Sequence, residues 1–200
     1  GEIATEIVED KKNSNQISSS TYNRAKYTLQ IITASNLGST PIQKVNATTI
    51  KNFLNNNTDY AESTLKKIYQ LLGQTFRRAI ERDYIIRNPM TFEEAKIPKS
   101  KKEKEKVESL TIEEEKKLIK ALSNETSIYK YIILLMLFTG MRIGEVLALK
   151  WSNIKSNHIE IKETLTRNEN GIYVIGKTTK TSNSLRDIII TPIIQEILNK

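Results

Sequence analysis

Residues 96–109, KIPKSKKEKEKVES, set the first limit on what this chain can fold into. They hold a proline, a run of alternating charge and almost no apolar side chain, so no hydrophobic core can pass through them. Two hundred residues suit one large domain or two small ones. The charged stretch decides for two, residues 15–95 before it and residues 110–200 after it. Fully extended at roughly 3.3 Å per residue, this linker spans about 40 Å. Residues 1–14, acidic and then basic, read as a flexible lead-in.

The first region carries helical periodicity. Ser18–Ser20 and Thr21 supply cap chemistry, and Tyr22, Ala25, Leu29 and Ile32 predict a helix over 22–37, closed at Gly38. A short helix over 48–55 puts Ile50, Phe53 and Leu54 on one face. The best helix covers 62–83, where Leu65, Ile68, Leu72, Phe76, Ala79 and Ile80 keep the 3.6-residue period. Asn88-Pro89 stops the chain from continuing as helix. A small helical bundle is the expectation. Between residues 15 and 90 ten bases face four acids, a net +6. Lys67, Gln70, Gln74 and Arg78 lie opposite the apolar stripe of the long helix, flanked by Lys66 and Arg77, and Arg24 and Lys26 sit on the first helix. Such a face suits a nucleic-acid backbone, with charges for phosphates and amides for sugars or base edges. A plain solvated helix face explains the same pattern.

The second region changes period midway. Thr111 and Glu114 form a capping box that opens a helix running to about 123, and an apolar stretch over 128–138 predicts a buried helix. A third helix begins near Arg142. Residues 158–166 then alternate as a strand, Asn170-Gly171 marks a hairpin, 172–175 makes a second strand and 185–190 a third. Pro192 opens a last short helix. The fold class is therefore mainly α, then α+β, with a small three-stranded antiparallel sheet.

Composition narrows the chemistry. Thirty-one basic against 23 acidic residues give +8 and a pI near 9.5, which favours a polyanionic partner. There is no cysteine and one histidine, His158, so neither a disulfide framework nor a thiolate or multi-histidine metal site is expected. The longest apolar run, 131–138, falls far short of the roughly 20 residues that span a bilayer, and no signal peptide opens the chain. A cytoplasmic protein with no membrane partner and no small-molecule substrate is expected.

Arg142 stands out against this background. It interrupts two apolar segments in FTGMRIGEVLALKW, where a charge is costly unless an anion meets it. The anion is either a carboxylate of the chain or a group brought from outside. The stretch 139–154, TGMRIGEVLALKWSNI, resembles the first active-site box of the tyrosine recombinases, the phage and transposon integrase family. The features that carry the resemblance are Gly140, Arg142, Glu145, Trp151 and Ile154. It implies that Arg142 clamps the non-bridging oxygens of a phosphate under attack and that Glu145 supports it without reacting. The segment 176–192, GKTTKTSNSLRDIIITP, is similar to the family's K-T-K-[ST]-x-x-x-R-x-[IV]-P-[LI] strand pair. Registered on Arg186, it implies Lys180 as the general acid that protonates the leaving 5′ oxygen, with Lys177 as the alternative. Ile86-Arg87-Asn88-Pro89-Met90 resembles the exit of the family's core-binding domain.

The resemblance implies double-stranded DNA at a recombination site as partner, other recombinase protomers in the assembly, and no metal or nucleotide cofactor. It also implies a His-x-x-Arg box and a late tyrosine nucleophile, and neither can be placed in these 200 residues. His158 reads as a plain strand residue and Trp151 as a core anchor. Tyr60, Tyr69, Tyr84, Tyr129 and Tyr131 suit buried or half-buried helix positions, and Tyr173 lies mid-strand. The expectation is a DNA-binding part of a strand-exchange enzyme that does not cleave alone. A non-catalytic DNA-binding regulator and a type IB topoisomerase remain as alternatives.

Overall fold

Before the linker the chain forms helices α1 (Glu2–Asn13), α2 (Ser19–Thr33), α3 (Asn36–Ser39), α4 (Ala47–Asn55) and α5 (Glu62–Glu81). The computed structural model describes residues 1–103, 108–177 and 185–200, and the chain divides into two units, residues 1–106 and 107–200. In the first unit α1, α2 and α5 pack on one another around Val8, Leu29, Ile68, Leu72 and Phe76. Local chemistry fixes the element starts. Asn46 Oδ1 accepts from the Thr49 amide at 2.8 Å to begin α4, and Asn88 Oδ1 accepts from the Met90 amide at 2.9 Å where Pro89 opens a short 3-10 turn.

Two expectations for this unit are corrected, and the linker makes contacts that the sequence did not suggest. Residues 1–14 are no flexible lead-in. Ala4, Ile7 and Val8 are buried in the bundle, and Glu2 in the first turn with Lys11 and Lys12 in the last match the helix dipole. The expected helix over 22–37 is two helices, with Gly38 inside α3 instead of closing α2. The linker is fastened over its described first half: Lys101 N donates to Thr58 O at 2.9 Å and Ser100 Oγ to Tyr60 O at 2.7 Å.

The second unit has helices α6 (Ile112–Ser123), α7 (Tyr129–Thr139), α8 (Ile143–Leu147) and α9 (Pro192–Leu198) and strands β1 (His158–Ile161), β2 (Glu163–Arg167), β3 (Tyr173–Lys177) and β4 (Arg186–Ile189). The capping box on α6 forms as expected: Thr111 N donates to Glu114 Oε2 at 2.8 Å, and Glu114 N to Thr111 Oγ1 at 3.3 Å. The three-stranded sheet is replaced by two antiparallel pairs, β1 with β4 and β2 with β3. The expected strand over 158–166 breaks at Lys162, which ion-pairs with Glu160 at 2.8 Å. Before the break Ile159 and Ile161 point into the core; after it the backbone takes its partners from β3. The hairpin turn is organised by Asn168, whose Oδ1 accepts from Asn170 N and Ile172 N.

The core of this unit gathers Leu135, Met141, Val146, Ile159, Ile161 and Ile194. The helix expected to be buried is α7, yet Leu135 is its one buried residue among those described. Trp151, expected as a core anchor, is exposed, as are Tyr84 and Tyr129, while His158 is the first residue of β1. Among the described residues no helix is long and apolar enough to cross a membrane, and no group of three or more potential metal ligands occurs.

Candidate functional site

Arg142 is positioned by the interruption that singled it out. Gly140 closes α7 in the left-handed conformation at φ 65°, a region that β-carbon sterics make costly for other residues. Met141 is then buried, and Arg142 takes an extended conformation just before α8. Helix α8 lies directly on β2 because Gly144 allows it: a Cβ there would stand 2.8 Å from Leu165 O and 2.5 Å from Thr164 Oγ1. At the far end of this segment Lys150 is tied to Glu163 on β2 at 2.7 Å.

Glu145, only 3% exposed, is the centre of the arrangement. Its Oε2 accepts from Arg142 N at 2.9 Å and from Arg186 Nη2 at 2.8 Å. Its Oε1 accepts from Arg142 Nη1 at 2.9 Å and Arg186 Nη1 at 3.2 Å. Burial, the largest single influence on this carboxyl, raises its pKa. The hydrogen bonds from Arg186, then those from the Arg142 backbone and side chain, outweigh it and hold the group at about 2. Two guanidinium groups thus share one carboxylate, leaving one positive charge in excess within the cluster. Arg186 is about one-third exposed, whereas the Arg142 side chain is 74% exposed. The excess therefore sits on the outward-facing member, which keeps further donors directed at solvent. A planar fork in that position suits a tetrahedral oxyanion such as phosphate.

Sequence reasoning paired Arg142 with Glu145 and missed Arg186 as the other partner. The two are 41 residues apart, and Arg186 reaches Glu145 because β4 pairs with β1, setting Arg186 opposite Ile161. Of the two hairpin lysines, Lys177 closes β3 opposite Glu163, and Lys180 lies outside the described residues.

The basic face of the first unit divides. Arg24 of α2 and Lys67, Gln70 and Gln74 of α5 line a groove of about 250 Å³ floored by Val8, Ala25 and Leu71. Lys11 of α1, absent from the sequence-based set, joins this groove and donates to Gln74 Oε1. The signal for it was present in the apolar spacing of Ile3, Ala4, Ile7 and Val8. Lys26 and Arg77 are exposed, with the Lys26 ammonium 5.9 Å from the Tyr22 ring. Arg78 and Lys66 do not join the groove residues. Arg78 is bound to Asp10 at 2.6 Å, with Glu6 at 3.6 Å, and Lys66 pairs with Glu62 at 2.5 Å.

Comparison with known proteins bears on the family and the fold. Residues 108–192 match the model of the phage integrase family, and residues 1–92 match the phage integrase central domain. A tyrosine recombinase XerC-like protein of Caldanaerobacter subterraneus subsp. tengcongensis is 31% identical over 155 residues, covering 70% of this chain and 39% of that protein. The ICEBs1 integrase of Bacillus subtilis is 27% identical over 163 residues, covering 80% of this chain and 43% of its own length. The chain thus spans about two-fifths of these relatives. Among solved structures, the Tn1549 transposon integrase in complex with a circular intermediate DNA superposes with a TM-score of 0.80 at 20% identity, over 98% of this chain and 63% of that one. A lambda integrase dimer bound to a COC' core site gives 0.69 at 21% identity, over 99% and 67%. From residue 1 to residue 192 nearly every position falls within one of the two matched domains, and the chain belongs to the phage integrase family of tyrosine recombinases.

Proposed function

We propose that this protein acts in site-specific DNA strand exchange, gripping duplex DNA with its first unit and presenting Arg142 to the phosphate at which a strand is cut. The observation that carries this reading is the state of Arg142: fixed through its backbone and one nitrogen by a buried carboxylate, and otherwise turned outward. In the reaction of this family a tyrosine hydroxyl attacks phosphorus and forms a 3′-phosphotyrosyl bond. The bond to the 5′ oxygen breaks, and that oxygen leaves as a hydroxyl. Arg142 stabilises the charge gathering on the non-bridging oxygens. Lys180, with Lys177 as the alternative, supplies the proton to the 5′ oxygen.

For DNA contact in the first unit, Lys11, Arg24, Lys67 and Arg77 meet phosphates, with Lys26 beside them, while Gln70 and Gln74 offer amide groups to sugars or base edges. Arg78 and Lys66 contribute less, because their charges are already matched within the bundle. A gel shift of the 200-residue chain on duplex DNA, repeated with Arg142→Ala, tests the reading. The expected result is duplex binding by both proteins to within a few-fold, with loss of cleavage for Arg142→Ala in a recombinase chain that carries the tyrosine. Absence of duplex binding at low salt, or strand transfer retained by Arg142→Ala, contradicts it.

A further inference from the structure

We infer that Arg186 is a positioning residue for strand exchange: acting through Glu145, it fixes where the Arg142 guanidinium points. This rests on the reading of Arg142 as the phosphate clamp and adds to it a second arginine that itself touches no substrate. Each oxygen of Glu145 receives one hydrogen bond from Arg142 and one from Arg186. The carboxylate is buried, so its orientation is set by these donors and not by water. Arg186 is carried on a strand whose register with β1 is fixed by Ile161 and Ile159 in the core. The exposed arginine thereby inherits its placement from the core of the unit through two guanidinium–carboxylate links in series.

The other charged groups nearby are engaged elsewhere. Glu163 on β2 is held by Lys150, Glu160 on β1 by Lys155 and Lys162, and Lys130 on α7 donates to Glu125 O. Glu145 therefore has Arg142 and Arg186 as its cationic partners among the described residues. Removing Arg186 leaves burial poorly opposed and raises the pKa of Glu145. Once protonated, that carboxyl gives up its charge-assisted hold on Arg142.

The test uses the chain as it stands, without DNA. The Glu145 carboxyl carbon and the Arg142 Nε–Hε signal are followed by NMR from about pH 7 to about pH 3, across the ordinary carboxylate range. In the unaltered protein Arg142 holds its position throughout. In Arg186→Met, Glu145 titrates within the window and Arg142 shifts with the same midpoint. Arg186→Lys, which restores the charge without the two-pronged fork, falls between. A role confined to stabilising the fold lowers the melting temperature and leaves Arg142 insensitive to Glu145. That result overturns the inference, as does an Arg142 signal in Arg186→Met identical to the parent at every pH. Should Arg186→Met fail to fold, Glu145→Gln decides the matter. Its Arg142 signal is expected to differ from the parent at pH 7 and to ignore pH, and an unchanged signal overturns the inference. Because no readout contains DNA, failure of the phosphate reading shows separately, as an Arg142 that does not respond to duplex.

Discussion

The two units carry positive charge in opposite ways. In the first unit the cations are spread over exposed helix faces, and the acids of the bundle have already claimed some of them: Asp10 and Glu6 hold Arg78, Glu6 holds Arg82, and Glu62 holds Lys66. What remains around the α1–α2–α5 groove is a set of separate, water-screened charges, each worth little alone. In the second unit one carboxylate, almost completely buried, orders two guanidinium groups and leaves one of them facing out. A surface of the first kind adjusts to a long polyanion and loses strength gradually as charges are removed. A cluster of the second kind addresses one group at one place and fails when a single member is lost.

The contrast can be broken first at Arg142. In a recombinase chain that carries the tyrosine, its replacement by alanine is expected to reduce cleavage by roughly 10²–10³-fold, the usual cost of losing a donor aimed at developing oxyanion charge, while duplex affinity changes no more than a few-fold. Kinetic assays beside gel shifts measure both. Next comes salt. If about four cations of the first unit meet phosphates, log affinity against log salt has a slope of about −3.6, and binding falls roughly 100-fold between about 50 and 200 mM. A flat profile removes the distributed surface from the account.

The third prediction concerns acid. The Glu145 pKa is depressed in the folded protein, so its contribution to stability is present above the ordinary carboxylate pKa and is lost as pH falls from there towards about 2. The loss is on the order of 3 kcal/mol, read as an acid-sensitive unfolding transition of the second unit that Glu145→Gln removes. Gly144→Ala drives a methyl group into Leu165 O and Thr164 Oγ1, and should destabilise the second unit by about 1–3 kcal/mol in denaturant titration. The smallest effect separates two neighbours on α5: Lys67→Ala should weaken duplex binding a few-fold and lower the salt slope by about 0.9, whereas Lys66→Ala should do less.

Elements whose causes are local were legible in the sequence. The Thr111–Glu114 box, the amphipathic stripe of α5, the Asn88-Pro89 stop and the Asn170-Gly171 turn all depend on residues within a few positions of one another. Helix α1 was missed because its acids and lysines hid a short apolar face that gains meaning only against α2 and α5. The division into two strand pairs was missed because alternation continues almost unbroken through Lys162, and pairing partners are chosen by distant strands. At the site, Arg142 and Glu145 were visible as an interruption in an apolar run, while Arg186 reaches them across 41 residues through the β1–β4 register. The same long-range pairing took Arg78 out of the basic groove, since its acidic partner lies on α1.

The most direct test of the central claim is the Arg142 Nε–Hε resonance of the 200-residue chain as duplex DNA is added at low salt. The account predicts that this signal shifts and that its exchange with solvent slows at the same DNA concentrations that perturb Lys67 and Gln70. A chain whose first unit responds to the duplex while the Arg142 signal stays where it was would contradict the claim that this guanidinium is held outward to meet a phosphate.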